Sequence, residues 1–455
     1  MSSSQATGAP PLRKRMSEAD RRVVAGTMVG TTIEWYDFFI FAQAAGIVFA
    51  NLYFKPLDTD NPGLAQLVSW ATIGVSFFFR PLGAVIAGRL GDRVGRKAML
   101  VFTLVMMGAS TALIGLLPTY GQIGVLAPVL LMVLRVLQGF SAGGEWGGAA
   151  LMAVEHAPRN KRGFWGAFPQ IGVPVGMILA TLVLYLLRLS MSPEQFLEWG
   201  WRIPFLLSVV LIVVGYFIRA AVAESPVFKE MVERKRETAT PLKQLLRTNK
   251  MQVILAAIIF IGNNAAGYLV IAFLSSYAQK SLKMEASPVL LATLLASFGW
   301  LVFTLFGGGL SDRIGRVRTF QIGYLLIFAW MIPMFLLIDT RNIWSYGVGI
   351  FVLTIGLGLS YGPMSAMYSE MFPASVRYSG IGIGYALGSI LGGAFAPLIA
   401  EALLKETGWS GSIGLYIMVL CVVSFIGVSL VKETKGVPLG ALSSDSVGAK
   451  NPPVS

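Results

Sequence analysis

Five ionisable side chains lie inside long apolar stretches of this chain: Glu34, Asp37, Arg80, Arg135 and Glu145. A charge inside a membrane-length apolar run is costly, so its default reading is functional. Glu34 and Asp37 are three residues apart and belong to one side of a helix. A carboxyl in a low dielectric holds its proton more tightly, and an arginine beside it reverses that preference. Three acids against two arginines leave one acid without a full partner. An acid whose arginine can leave it loads and releases a proton, as a proton-coupled carrier requires. The expected coupling pair is Asp37 with Arg135, with Glu34 sharing the proton, and Arg80 with Glu145 is expected as a second pair. Static ion pairs that fix helix register are the competing reading.

The elements that must hold these charges are legible from composition. The chain has 455 residues, 55% of them hydrophobic and only 13% charged, with a mean hydropathy of +0.69. A soluble domain is about 25% charged. Twelve apolar stretches, near 24–49, 66–88, 98–117, 123–154, 164–187, 203–222, 252–278, 288–310, 319–338, 344–370, 380–403 and 411–431, approach or exceed the roughly 20 residues of a membrane-spanning helix. The fold expected is an all-α integral membrane protein of twelve transmembrane helices. At a rise of about 1.5 Å per residue, Asp37 sits roughly 20 Å into the first span, near mid-membrane. Arg135 lies at similar depth, and Arg80 and Glu145 lie nearer the cytoplasm. A cleavable signal peptide is not expected ahead of the first span.

Lys and Arg set the orientation. With the N-terminus in the cytoplasm, 27 of the 36 basic residues fall on that side and both termini are cytoplasmic. The net charge of +13 is then explained by topology, and a nucleic-acid partner loses its support. A polar stretch from Glu224 to Lys250 divides the chain. The expected organisation is a cytoplasmic tail over 1–22, a six-helix bundle over 23–222, a cytoplasmic loop over 223–250, a second six-helix bundle over 251–431 and a cytoplasmic tail over 432–455.

The two halves repeat each other. After span 2 stand Gly88, Asp92, Arg93, Gly95 and Arg96; after span 8 stand Gly308, Asp312, Arg313, Gly315 and Arg316, with identical spacing at an offset of 220. Glu155 and Arg162 after span 4 match Glu370 and Arg377 after span 10 at an offset of 215. Six spans per half is an even number, so the repeats are parallel. Glycines permit tight turns and close helix approach. Acid and arginine at matched positions can pair across the cytoplasmic face as a latch, and loop anchoring is the plainer alternative.

This pattern resembles the major facilitator superfamily, whose signature after spans 2 and 8 is G-x-x-x-D-R-x-G-R. The segments EWYDFFIF (34–41), FFFRPLGAVIAGRLGDRVGRK (77–97), LRVLQGFSAGGEWGGAA (134–150), WGWRIPFLLS (199–208) and MFPASVRYSGIGIGYALGSILGGAFAP (371–397) look like the metabolite:proton symporter family, which includes shikimate, 2-oxoglutarate, citrate and proline/betaine carriers. The GGEWGGAAL run and the Arg-Tyr-Ser-Gly stretch are closest to shikimate-type members. Arg135, in R-V-L-Q-G, matches the superfamily's span-4 arginine motif, and the resemblance implies that this arginine pairs with a span-1 acid in proton-coupled members.

The C-terminal half offers amide and phenol groups instead of charges: Asn263, Asn264 and Tyr268 in span 7, Tyr361 and Tyr368 in span 10, with Gln170 from span 5. Such groups can orient a hydroxylated or carboxylated solute; interhelical hydrogen bonding is the plainer role. His156 and Cys421 stand alone, so no metal set and no disulfide are expected. The GGG at 307–309 is followed by no Gly-Lys-Ser/Thr and reads as helix packing. No cofactor is expected beyond the proton as coupling ion, and no nucleophile–base set suggests an enzyme.

The reading is a proton-coupled symporter in a bacterial inner membrane, importing a small hydrophilic metabolite by alternating access. An organic acid such as shikimate or a di- or tricarboxylate is the first choice, because Arg80 and Arg135 can meet a carboxylate. A proline/betaine symporter, a proton-driven exporter and a non-transporting membrane sensor remain open. Residues 432–455 carry no heptads, which argues against the proline/betaine branch with its C-terminal coiled coil. A monomer suffices, with the metabolite, protons and the bilayer as partners.

Overall fold

The structure, a computed structural model, describes residues 16–59, 62–94, 96–143, 145–221, 245, 247–373 and 376–439, without the side chains at 84, 85, 87–94, 96–100 and 218–221. Gly95, most of the expected central loop and the outer parts of both tails lie outside the described residues. The side chains of Asp92, Arg93 and Arg96, and the surroundings of Gly88, lie outside them too.

Twelve long helical stretches follow one another, at the positions expected from hydropathy. They are Glu18–Leu52, Leu64–Val94, Arg96–Leu116, Leu126–His156, Arg159–Ser190, the pair Pro193–Gly200 and Arg202–Phe217, Lys250–Lys280, Ala286–Ile314, Arg316–Ile338, Ile343–Met371, Arg377–Thr407 and Gly411–Ser429. They are numbered spans 1 to 12 in that order. Among the described residues, nine are long and apolar enough to cross a membrane by themselves, and the pair forming span 6 makes a tenth with a bend of 48°. Leu64–Val94 and Arg96–Leu116 complete the twelve. Span 1 opens on a capping box, with the Ser17 hydroxyl accepting from the Asp20 amide at 3.1 Å.

Polarity is distributed inside out relative to a soluble protein. Leu116, Phe217 and Leu430 are exposed, whereas Asp37, Arg135, Gln170 and Asn263 are buried. Helices satisfy their own backbone, so apolar side chains can face lipid and polar ones can face each other inside.

Packing repeats between the halves. Span 1 packs on span 5 as span 7 does on span 11; spans 2 and 4 match spans 8 and 10; spans 3 and 6 match spans 9 and 12. Between the halves, span 5 packs on span 8 and span 2 on span 11. Exchanging the halves turns each of these contacts into its counterpart, which is the pattern of two parallel six-helix repeats about an axis along the membrane normal. The crossing of spans 5 and 8 is backbone-close: a Cβ at Gly163 would lie 2.3 Å from the Gly308 carbonyl oxygen. The GGG run therefore serves packing. The two first helices also share a distortion, a π-helical turn at Ala45–Phe49 in span 1 and at Leu269–Phe273 in span 7. Such turns add a residue to the helical circuit and often mark functional positions.

Candidate functional site

Asp37 is fully enclosed within the N-terminal half. Its carboxylate accepts from the Ser208 hydroxyl of span 6 at 2.6 Å and the Thr111 hydroxyl of span 3 at 3.0 Å. The expected direct pair with Arg135 is not made. Arg135 lays its guanidinium carbon 3.8 Å from the Phe41 ring centroid and 4.6 Å from that of Phe38, a favourable place for a desolvated cation. Its Nε donates to the Thr72 carbonyl at 3.3 Å and its Nη1 to Gln138 Oε1 at 2.9 Å. Gln138 Nε2 donates onward to Thr111 Oγ1 at 2.7 Å. The acid and the arginine are thus joined through two neutral side chains.

Glu34 and Asp37 part company. Three residues along a helix is a turn of about 300°, so the two carboxyls diverge by about 60°. Asp37 looks toward spans 3 and 6. Glu34, also buried, lies near enough to the phenols of Tyr268, Tyr361 and Tyr385 to act on them electrostatically. Those phenols belong to the opposite half, so Glu34 faces the seam between the halves.

Arg80 shares that seam. Its guanidinium carbon is 4.6, 5.2 and 5.8 Å from the ring centroids of Phe77, Phe38 and Trp35. No ion pair between Arg80 and Glu145 occurs among the described residues; aromatic faces take the guanidinium instead. Glu145 is buried at the first turn of Glu145–His156, the inner segment of span 4. Tyr268 packs edge-on against Phe38 and Phe77, each at 5.4 Å. Beyond it, Trp146 of the N-terminal half stacks on Tyr385 of the C-terminal half at 3.8 Å and 11°. Tyr385 stacks on Phe260 at 4.8 Å, and Phe260 on Tyr361 at 6.1 Å.

Gln170 ties this stack across the seam. Its Oε1 accepts from Trp146 Nε1 at 2.9 Å and its Nε2 donates to the Tyr361 carbonyl at 3.3 Å. Asn263 is committed elsewhere, donating to the Leu357 carbonyl at 3.0 Å and to Ser360 Oγ at 2.7 Å. It holds span 7 to span 10 and takes no part in the stack. Tyr368 likewise donates to the Ala256 carbonyl. In contrast, Trp35 Nε1, Arg80 Nε, Asn264 Oδ1 and the hydroxyls of Tyr268, Tyr361 and Tyr385 are buried and have no hydrogen-bond partner among the described residues. Native structures leave few such groups, and each calls for an explanation.

Both faces of the seam are closed. On the terminal face, where span 1 begins and span 12 ends, Arg162 meets Glu370 at 3.5 Å and Arg377 meets Glu155 at 4.0 Å. These pairs are cognate: adding 215 to Arg162 and Glu155 gives Arg377 and Glu370. Arg316 binds Asp312 at 2.7 Å and Glu370 at 3.2 Å. Asp312 in turn accepts the Gly163 and Phe164 amides, both at 2.8 Å, a carboxylate on a helix N-terminus. Gly315 makes the span 8–9 turn at φ +105°, with the Glu433 carboxylate where a Cβ would stand. Arg313 contributes its carbonyl, which accepts from Lys435 Nζ at 2.8 Å.

The segment after span 12 lies across this network. Glu433 accepts from the Arg316 and Val317 amides at 2.8 and 3.1 Å, and Thr434 donates to Glu370 at 3.1 Å. Arg159 and Arg162 of the N-terminal half hold the Gly436 and Val437 carbonyls, the latter at 2.6 Å. Arg377 of the C-terminal half holds the Leu439 carbonyl at 3.1 Å. On the opposite face, Ser276 donates to the Gly46 carbonyl at 3.1 Å, joining the π-helical turn of span 1 to span 7 just beyond its own. Lys280 reaches Gln66 at 2.5 Å, and Lys405 reaches the Pro62 carbonyl at 2.9 Å.

Sequence reasoning missed Trp35, Thr111, Gln138, Trp146, Ser208 and Tyr385. Gln138 was signalled by its place three residues after Arg135, and Trp146 by standing alone in a glycine run. Thr111, Ser208 and Tyr385 carry no local signal: their partners lie 74, 171 and 239 residues away.

The Major Facilitator Superfamily pattern matches residues 27–397. An inner membrane metabolite transport protein of Escherichia coli K12, YhjE, is 39% identical over 91% of this chain and 94% of its own length. The shikimate transporter of the same organism is 36% identical over 91% and 95%. A crystal structure of a D-xylose–proton symporter superposes with a TM-score of 0.73, covering 91% of this chain and 99% of that one at 18% identity. Its likeness extends to the fold. Taken with the duplicated six-helix architecture and its closed polar seam, these matches make the chain a multi-pass membrane transporter of metabolites, not an enzyme, belonging to the Major Facilitator Superfamily.

Proposed function

We propose that this transporter is a proton-coupled symporter that takes up a small hydrophilic carboxylate by alternating access. The observation that carries this reading is the cluster of buried, unpartnered polar atoms around Arg80, on the seam between the halves. Arg80 supplies a positive charge among aromatic walls, and the phenols, the Trp35 indole and the Asn264 amide supply donors and acceptors for hydroxyl groups. A ring bearing hydroxyls and one carboxylate matches that set, and the likeness to a shikimate transporter supports the same class. A betaine would want the aromatic walls free for its own cation. Arg80 already occupies them, which favours the anion.

Asp37 is the proton site. It is enclosed, stands apart from Arg135 and is held by hydroxyls alone. The terminal face is the cytoplasmic one by its excess of basic residues, in a bacterial inner membrane. The bundles at 23–222 and 251–431 rock against each other, a monomer sufficing. Arg162–Glu370, Arg377–Glu155 and the Asp312–Gly315–Arg316 turn act as the latch that must part.

The test is uptake of radiolabelled shikimate, 2-oxoglutarate, citrate and betaine into proteoliposomes under an inward-acid gradient. Accumulation of a carboxylate, lost when the gradient is collapsed or in Asp37→Asn, is expected. Accumulation of betaine alone would replace the solute class. Uptake indifferent to the gradient would remove the symport reading.

A further inference from the structure

The three hydrogen bonds between Arg135 and Asp37 have a direction. Arg135 Nη1 can only donate, so Gln138 Oε1 must accept, and this fixes Gln138 with its amide N–H groups toward Thr111. Thr111 has one hydroxyl proton and two acceptors within reach, Asp37 Oδ2 and the Met107 carbonyl, each at 3.0 Å. While Asp37 is ionised, that hydroxyl donates to the carboxylate. Every donor then points from the arginine to the acid, and a chain ordered between a positive and a negative end is mutually reinforcing. When Asp37 takes a proton, the negative end is gone. The Thr111 hydroxyl is then free to turn to Met107, and nothing in the chain any longer compensates the guanidinium. Arg135 Nη2 already lacks a partner among the described residues.

We infer that Thr111 and Gln138 are positioning residues that report the protonation of Asp37 to Arg135, releasing its charge to the solute side of Phe38. The inference rests on the symport reading and deepens it by naming how proton and solute communicate. No covalent bond changes apart from proton binding at Asp37; the hydroxyl proton of Thr111 rotates and stays on its oxygen. Other charged groups nearby are Glu34, one turn away on span 1, and Arg80 on span 2, which acts electrostatically on Arg135. Glu34 acts on the acid end and Arg80, which faces Phe38 from the seam beside the phenol of Tyr268, on the arginine end. Ser208 from span 6 provides an internal control. It gives Asp37 a hydrogen bond at 2.6 Å as Thr111 does, but it leads nowhere toward Arg135.

The experiment compares Thr111→Val, Thr111→Ser and Ser208→Ala with wild type and Asp37→Asn in two measurements. One is accumulation of whichever of the four radiolabelled solutes the wild type takes up, with solute exchange measured in parallel. One pH unit can support about tenfold accumulation for one proton per solute. Thr111→Val is expected to fall to onefold while exchange persists, and Thr111→Ser to recover tenfold. Ser208→Ala is expected to stay coupled with a displaced pH profile. The other is the infrared carbonyl band of protonated Asp37 in purified protein, identified by its absence in Asp37→Asn. In the wild type, mutating Arg135→Gln should move the midpoint of that band; in a Thr111→Val background it should not. Full accumulation by Thr111→Val, or an Arg135 effect on the band that survives Thr111→Val, overturns the inference. Accumulation that survives Asp37→Asn but still needs the gradient condemns Asp37 as the proton site, and accumulation indifferent to the gradient condemns the symport reading instead.

Discussion

The terminal face and the centre of the molecule treat the duplication in opposite ways. At the terminal face the halves act as equals: Arg162 takes Glu370, and its counterpart Arg377 takes Glu155. At the centre they have diverged. The N-terminal half keeps Glu34, Asp37, Arg80 and Arg135 buried, and the C-terminal half faces the seam with Tyr268, Tyr361 and Tyr385. Closing a seam is a task that a two-fold axis performs well, since each contact comes twice. Binding one asymmetric solute, and with it the proton proposed above, is not, because a symmetric site would offer two of everything. Charge in one half also limits the cost of burying ions to a single bundle.

Substitutions can break or sharpen this contrast. The largest effect is expected at the terminal face. Arg162→Gln takes the cross-half partner from buried Glu370, which keeps Arg316, and Arg377→Gln takes it from partly exposed Glu155; each should cost at most about 3 kcal/mol and lower the midpoint of thermal unfolding in detergent by a similar amount. A large difference between the two would show that the halves are not equivalent there. At the centre the halves should separate. On the proposed reading, Arg80→Gln removes a charged contact to the solute worth about 1.5–3 kcal/mol and should raise the KM for a carboxylate by about 10- to 100-fold, with little change in melting. Tyr268→Phe and Tyr385→Phe each delete one neutral hydrogen bond, about 1 kcal/mol, for a KM rise of about fivefold. Asn263→Ala is expected to leave KM alone and to cost about 0.6 kcal/mol of stability, since its amide spans two helices of one half. A shift in KM there would return Asn263 to the solute site.

Much of this was legible in the sequence, and the part that was not has a physical cause. Hydropathy over some 20 residues fixes a span, so all twelve appear in place. The matched Asp-Arg-x-Gly-Arg turns announced the duplication and its equal halves. The rotation of one carboxyl against another was harder: a spacing of three marks neighbours on a helix surface, yet a divergence of about 60° sends Glu34 to the seam and Asp37 away from it. The expected Asp37–Arg135 contact failed for a similar reason. Depth placed the two side chains at one level, but Phe38 and Phe41 offer the guanidinium a surface that charge counting ignores. Asn263 and Asn264 are adjacent and chemically alike, and only the positions of spans 10 and 11 decide that one is glue and the other lies unpartnered beside Gly393.

The segment over 433–439 bears on how this protein is handled at the bench. Its carbonyls are gripped by arginines from both halves, so any opening of the terminal face must loosen at least one grip. A fluorophore attached at Val437 would therefore brighten or dim with each transport cycle. By the same token, a bulky affinity tag joined directly after Leu439 would pull on the seam, and a long spacer would be needed before its transport rates could be trusted.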